Sequence, residues 1–237
     1  MQHKKSVLAA ILFLITGFTA CDSNEIGDSK DVNQDKVYMD YRISYTEGEE
    51  NVSISLQYRF AGSAGTTLVL NGASHAELDG EKLKVDSSEA SGAFYNADKN
   101  FSHFIGNHTI KFTDINGKKF ENTFNFSAFN LNALPTTVDA GKDLVISYNS
   151  VSLSAADYFE INSIDTDSSF HYQQAGPGSS ITIPAKELMR QKENGFSIDC
   201  TLYREIPLSQ TTPEGGSLKI FYRLKPVKIK LQPLNNL

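Results

Sequence analysis

The run VYMDYRISYTEGEENVSISLQYRF, residues 37–60, decides the fold class. Val37, Met39, Tyr41, Ile43 and Tyr45 recur at every second position, with Asp40, Arg42 and Ser44 between them. Val52, Ile54, Leu56, Tyr58 and Phe60 alternate in the same way with Ser53, Ser55, Gln57 and Arg59. A period of two places the apolar set on one side of an extended chain and the polar set on the other. That pattern marks antiparallel strands with one face on a core and one in water. Glu47-Gly48-Glu49-Glu50-Asn51 joins the two runs as a polar turn.

The pattern continues outward. Gly62 to Gly65 breaks it and Thr66 to Leu70 resumes it. Asp79-Gly80 lies between Ala76–Leu78 and Leu83–Val85, and Asn116-Gly117 lies between His108–Phe112 and Phe120–Phe126. Both dipeptides supply the positive φ that a type I′ hairpin turn requires. In the last of these strands Phe120, Asn122, Phe124 and Phe126 share a face. After AFNLNALP (128–135) a second set of strands begins, at Leu144–Tyr148, Tyr158–Ile164, Phe170–Gln174, Ser180–Ile183, Phe196–Tyr203 and Leu218–Leu224. A last one, Val227–Leu231, follows Pro226, a residue tolerated at a sheet edge or bulge. Pro184 suits the first turn of a short helix over 185–192, which Asn194-Gly195 would end.

Each set holds roughly seven short strands in roughly a hundred residues, with turn signals at the spacing of a sandwich. The expectation is an all-β chain of two tandem immunoglobulin-like antiparallel β-sandwiches, 37–130 and 131–237, with one jelly roll or one large sandwich as the alternative. The Cys–Trp–Cys hallmark is missing, since the chain has no Trp and, apart from Cys21 near the N-terminus, Cys200 is its one cysteine. The segment Ile181-Thr-Ile-Pro-Ala-Lys-Glu-Leu188, followed by Gly195 and a strand, resembles uncharacterised immunoglobulin-like modules of bacterial envelope lipoproteins. The resemblance covers about half of the second unit and implies a fold without naming a function.

Residues 1–20 read as an address. Lys4 and Lys5 precede the apolar run Val7–Ile15, and small residues follow, ahead of Cys21. The apolar run is too short for a membrane span and has the order of a secretion signal. Phe18-Thr19-Ala20-Cys21 resembles the lipobox of bacterial lipoproteins, with Phe18 where Leu is usual. The resemblance implies acylation of Cys21 and a membrane partner reached through lipid, since several acyl chains anchor stably and one does not. Residues 21–36, acidic and poor in apolar side chains, are expected to be a flexible tether. Acids after the cysteine resemble a surface-export signal, whereas Asp22 alone resembles an inner-membrane retention signal. The expected location is the bacterial cell envelope, at the outer membrane, on a face the sequence leaves open.

Composition narrows the partners. With 22 Lys+Arg against 28 Asp+Glu the formal net charge is −6. Loss of Lys4 and Lys5 with a cleaved signal makes it more acidic, which argues against nucleic acid. Cys200 lies in the apolar register of Phe196, Ile198 and Leu202 and reads as a buried, inert thiol.

No catalytic pattern stands out. Gly72-Ala73-Ser74-His75-Ala76 lacks the last glycine of a nucleophile elbow, His103 and His108 are not spaced as helical metal ligands, and Asp165 and Asp167 lack the glycine and terminal Glu of a calcium loop. Two weaker features remain. Lys219, Arg223, Lys225, Lys228 and Lys230 gather near the C-terminus, either as a charged edge that discourages sheet-to-sheet pairing or as a patch for an acidic partner. Tyr38, Tyr95, Tyr203 and Phe221 fall off the apolar registers, either exposed for sugars or a protein partner or packed between units.

The expected function is non-catalytic, with no cofactor and no metal: a lipid-anchored envelope protein that binds or scaffolds another macromolecule, an envelope protein or a glycan. The alternatives are a glycan-binding accessory in carbohydrate uptake, and a hydrolase whose site joins His103 or His171 to acids from distant loops.

Overall fold

The computed structural model describes residues 25–149, 153–164, 169–191 and 195–232. The signal segment 1–20, Cys21, Asp165, Asp167, Lys192 and Asn194 lie outside the described residues. The described chain is almost entirely β. Its strands are β1 (Ile26–Asp28), β2 (Val37–Thr46), β3 (Asn51–Phe60), β4 (Thr66–Val69), β5 (His75–Leu78), β6 (Glu81–Lys82), β7 (Val85–Ser88), β8 (Gly92–Asn100), β9 (Gly106–Thr113) and β10 (Lys119–Phe126). They continue as β11 (Asn130–Leu131), β12 (Thr137–Asp139), β13 (Leu144–Asn149), β14 (Tyr158–Ser163), β15 (His171–Ala175), β16 (Ser180–Ile183), β17 (Gly195–Pro207), β18 (Gly216–Arg223) and β19 (Val227–Gln232). One α-helix among the described residues, α1 (Ala185–Leu188), follows Pro184 and is shorter than the expected 185–192. The Asp143 carboxylate accepts a hydrogen bond from its first amide.

Alternation in 37–60 does what its period predicts. Tyr41, Ile43, Val52, Ile54, Leu56 and Tyr58 are buried to within 1%. A 12-stranded sheet runs β1-β4-β3-β2-β18-β17-β14-β15 among the described residues, with β8 and β7 added beside β3, and β19 and β12 beside β17. Its middle joint is β2 with β18, a parallel pair from Gly216↔Met39 to Arg223↔Thr46. Residues of both expected units, 37–130 and 131–237, therefore share one sheet.

Two smaller sheets, β10-β9-β5-β6 and β11-β13-β16, lie against the inner face. Aromatic rings join the layers. Tyr58 of β3 meets Phe112 of β9 at 4.5 Å between centroids, and Phe159 of β14 meets Tyr148 of β13 at 4.6 Å. Phe129, fully buried between the two small sheets in sequence, touches Tyr148, Phe159 and Tyr222. Burying a ring of this size contributes about 1.5–3 kcal/mol, and one contiguous core cluster carries these contacts across both halves.

Two local expectations are corrected. Asp79 and Gly80 both have positive φ, 51° and 83°, as a type I′ turn needs. At the second hairpin only Gly117 does (80°). The Asp114 carboxylate accepts from the amides of Asn116 and Lys118, and a wider loop results, with Gly117 as its left-handed residue. The tether expected over 21–36 is, from Glu25 onward, folded. β1 pairs in parallel with β4, Thr67 donates from both its amide and its hydroxyl to the Glu25 carbonyl, and Gln34 Nε2 donates to the carbonyls of Ser29 and Val32. Polar bonds rather than apolar burial order this segment, which hydrophobic content cannot reveal.

Candidate binding face

The outer face of the large sheet is assembled by register. Side chains alternate, so the partners of the buried set Tyr41, Ile43, Ile220, Leu202 and Phe159 leave a second set pointing away from the core. Five pairings align Ser53, Ser44, Phe221, Tyr203, Tyr158 and Ala175 in one row across six strands. The neighbouring row is Asn96, Ser55, Arg42, Lys219 and Glu205. Tyr158 and Tyr203 stack at 4.4 Å and 18°, and Phe221 meets Tyr203 edge-on at 5.2 Å and 70°. Small neighbours, Ser44 beside Phe221 and Ala175 beside Tyr158, leave the outer flanks of this aromatic row uncovered by larger side chains in register. Burial, with the Glu205 carboxylate second, pushes the Tyr203 phenol up to about 12, while Arg42 works in the opposite direction.

One end of this face is a groove of about 720 Å³. Arg42, Ser44, Ser53, Ser55, Gln57, Arg59 and Asn96 supply polar groups, Phe94 and Phe221 supply rings, and Ala90 and Ser91 form a wall. The wall is held in place: Gln57 Nε2 donates to the carbonyls of Ser91 and Ala93, at 2.6 and 3.2 Å. Gln57 Oε1 in turn accepts from Arg59 at 2.9 Å, and Arg59 also donates to the Gly65 carbonyl. Asp40, the register partner of Gln57, is buried and lies 3.9 Å from the guanidinium groups of both Arg42 and Arg59. Concave, partly apolar surfaces with a few oriented polar groups are where ligands bind.

Phe221, Tyr203, Lys219 and Arg223, all read from the sequence as candidates, are brought to this face. Tyr203 and Phe221 are half-buried there. Of the five cations, Lys219, Arg223, Lys228 and Lys230 stand opposite Glu205, Thr201, Ser197 and Gly195 of β17, on the outward register. Arg223 pairs with Asp199 at 3.1 Å, Lys225 turns back on the 47–48 hairpin tip with its amide donating to Glu47, and Lys228 and Lys230 are exposed on β19. Tyr38 is half-buried and its hydroxyl donates to Ser217 Oγ. Tyr95 is a correction: it is 3% exposed, and its hydroxyl accepts from the Leu70 amide at 2.6 Å. It faces the core because it pairs with Leu56. The strand that carries it, β8, has so few apolar residues that its register cannot be read from sequence. Arg42, Gln57, Asn96 and Phe94 were missed as site residues. The outward register of residues 37–60 names the first two, but nothing local says that β8 closes the groove.

Among the described residues, the histidines are held apart from the groove or tied to structural partners. His108 Nδ1 meets Asp79 and its Nε2 meets the Phe104 carbonyl, both at 2.8 Å, and its ring stacks on Phe104. His75 bridges the Ala73 carbonyl and Glu77. His103 is exposed. His171 bonds Asn162 at 2.7 Å and comes 4.0 Å from Glu160 on the sheet edge. Among the described residues no three His, Cys, Asp or Glu side chains are placed to hold a metal ion, and no helix is long and apolar enough to cross a membrane.

No family model matches the chain, and no curated protein matches it. Among solved structures it is similar to a 1.5-MDa bacterial ice-binding adhesin, at 9% identity and a TM-score of 0.27, covering 82% of this chain and 65% of that one. It is also similar to SGBP-B of the Bacteroides ovatus mixed-linkage glucan utilization locus, solved with a mixed-linkage heptasaccharide, at 9% identity and a TM-score of 0.24, covering 77% and 53%. The chain thus spans less than two thirds of either. Likeness at this level assigns neither a fold family nor a ligand.

Proposed function

We propose that this chain is a non-catalytic binding protein of the bacterial envelope, held at the outer membrane by lipid on Cys21, and that the groove on its outer sheet face takes a glycan. The groove carries the reading. It places two phenylalanine rings beside serine hydroxyls, amides and a guanidinium on a rigid sheet, and sugars present an apolar ring face for the first and hydroxyls for the second. An open β-sheet face suits an extended polymer better than an enclosed substrate. The lipobox-like Phe18–Cys21 supports the anchoring.

A glycan array with the purified protein tests the ligand class. Binding that Phe221→Ala abolishes without loss of fold supports the reading. An array with no binding overturns it. Cys21→Ser should release the protein from membranes without unfolding it, and a variant that still pelleted with membranes would remove the anchoring argument.

A further inference from the structure

The charge of the groove is opposite to that of the chain. Formal net charge is −6, yet among the described residues the charged side chains lining the groove are those of Arg42 and Arg59. Asp40, on the same outward register as Arg42, is buried at 3.9 Å from each guanidinium, so one carboxylate is shared by two cations. The two arginines have different tasks. Arg59 is buried and donates to the Gly65 carbonyl and to Gln57, so it positions the floor and wall. Arg42 holds its side chain 59% exposed at the mouth. Lys219 is its register partner on the next strand and adds a third cation to the same face. Two acids of this face are already engaged: Asp98 by the Ser53 hydroxyl at 2.5 Å, and Glu205 by the Tyr203 hydroxyl at 3.2 Å.

We infer that the groove selects an anionic glycan, with the Arg42 fork receiving a carboxylate or sulfate group while Phe221 packs against the adjoining sugar ring. This rests on the reading of the groove as a glycan site. Arginine is suited to the task because its planar guanidinium bonds an oxyanion through two parallel N–H groups, which lysine cannot do. An exposed guanidinium at the mouth also loses less hydration on pairing than a buried one would.

The test is titration calorimetry of the full chain lacking the signal segment. The probes are oligogalacturonides, sulfated dextran oligosaccharides, and the neutral cellohexaose and maltohexaose. Binding of one or both acidic probes, weakened by salt and lost by at least about tenfold in Arg42→Lys, is the expected result. The two acidic arms tell carboxylate from sulfate. Equal binding of neutral and acidic probes, unchanged in Arg42→Ala but lost in Phe221→Ala, would overturn the anionic inference and leave the glycan reading standing. No binding of any probe would overturn both. Arg59 stays beside Asp40 in the Arg42 variants, and circular dichroism checks that they keep the fold.

Discussion

Gly216 stands against Met39 with no space for a side chain between them. A Cβ on Gly216 would lie 2.6 Å from the Met39 carbonyl oxygen and 2.7 Å from Leu208 Cδ1. The pair opens the parallel ladder of β18 with β2, the joint through which the large sheet passes from one half of the chain to the other. Gly216→Ala must push backbone apart there. It is expected to lower stability by about 1–3 kcal/mol, read as a fall in the urea midpoint. A midpoint equal to wild type would show that the joint tolerates separation.

The buried thiol gives a second outcome. Cys200 is 1% exposed, and burial, with Asp199 second, pushes its thiol up to about 12. Thiolate is the reactive form, so in a Cys21→Ser background a disulfide reagent at about pH 8 should label nothing until denaturant is added, and then one thiol. Labelling of the native protein on the timescale of a free thiol would contradict the packing described for β17.

Acid should act through Glu77. The Lys111 ammonium beside it, helped by His75, holds its carboxyl below the usual carboxylate range. A carboxyl with a lower pKa folded than unfolded stabilises the protein above the unfolded value, and that contribution is lost as pH falls through the folded value. Glu77→Gln should therefore be less stable than wild type near neutrality, with the gap closing as pH falls below the ordinary carboxylate value and through the lower folded one. Urea midpoints measured across that range check it, and a gap that stayed constant would mean the loss is one of packing alone.

How much of this was legible depends on whether the information lay within one strand. The inward face of residues 37–60, the alternation Phe120–Phe126 and the Asp79-Gly80 turn are local properties, and the structure has them as read, whereas Asp40 and Arg59 of the outward set are buried against one another. The adjacency of β2 and β18 joins residues about 180 positions apart, and nothing in either strand specifies a parallel partner over an antiparallel one. The groove needs that adjacency and β8 together. In GAFYNADKN only Gly92, Ala93 and Tyr95 are buried, so no apolar period announces the strand and Tyr95 looked like a surface residue. Phe221 and Tyr203 break the apolar register of strands whose other faces are filled, and the register places them side by side on the outer face.

The N-terminal segment offers the sharpest contrast between composition and structure. Residues 25–36 contain two large aliphatic side chains, Ile26 and Val32, yet Ser29 and Gln34 are buried and the segment is bonded to β4 and to Asn71. Each such bond contributes about 1 kcal/mol net. Removing residues through Asn24 should leave the urea midpoint unchanged, whereas removing them through Asp31 takes away the β1 ladder and the Ser29 bonds and should cost about 3 kcal/mol. Trypsin reports the same order without truncation, because Lys30 and Lys36 should resist cleavage under conditions that cut a free acidic tail. Equal stability of the two truncations would return residues 25–31 to the role of a tether, and the large sheet would then begin at β2 in energetic terms.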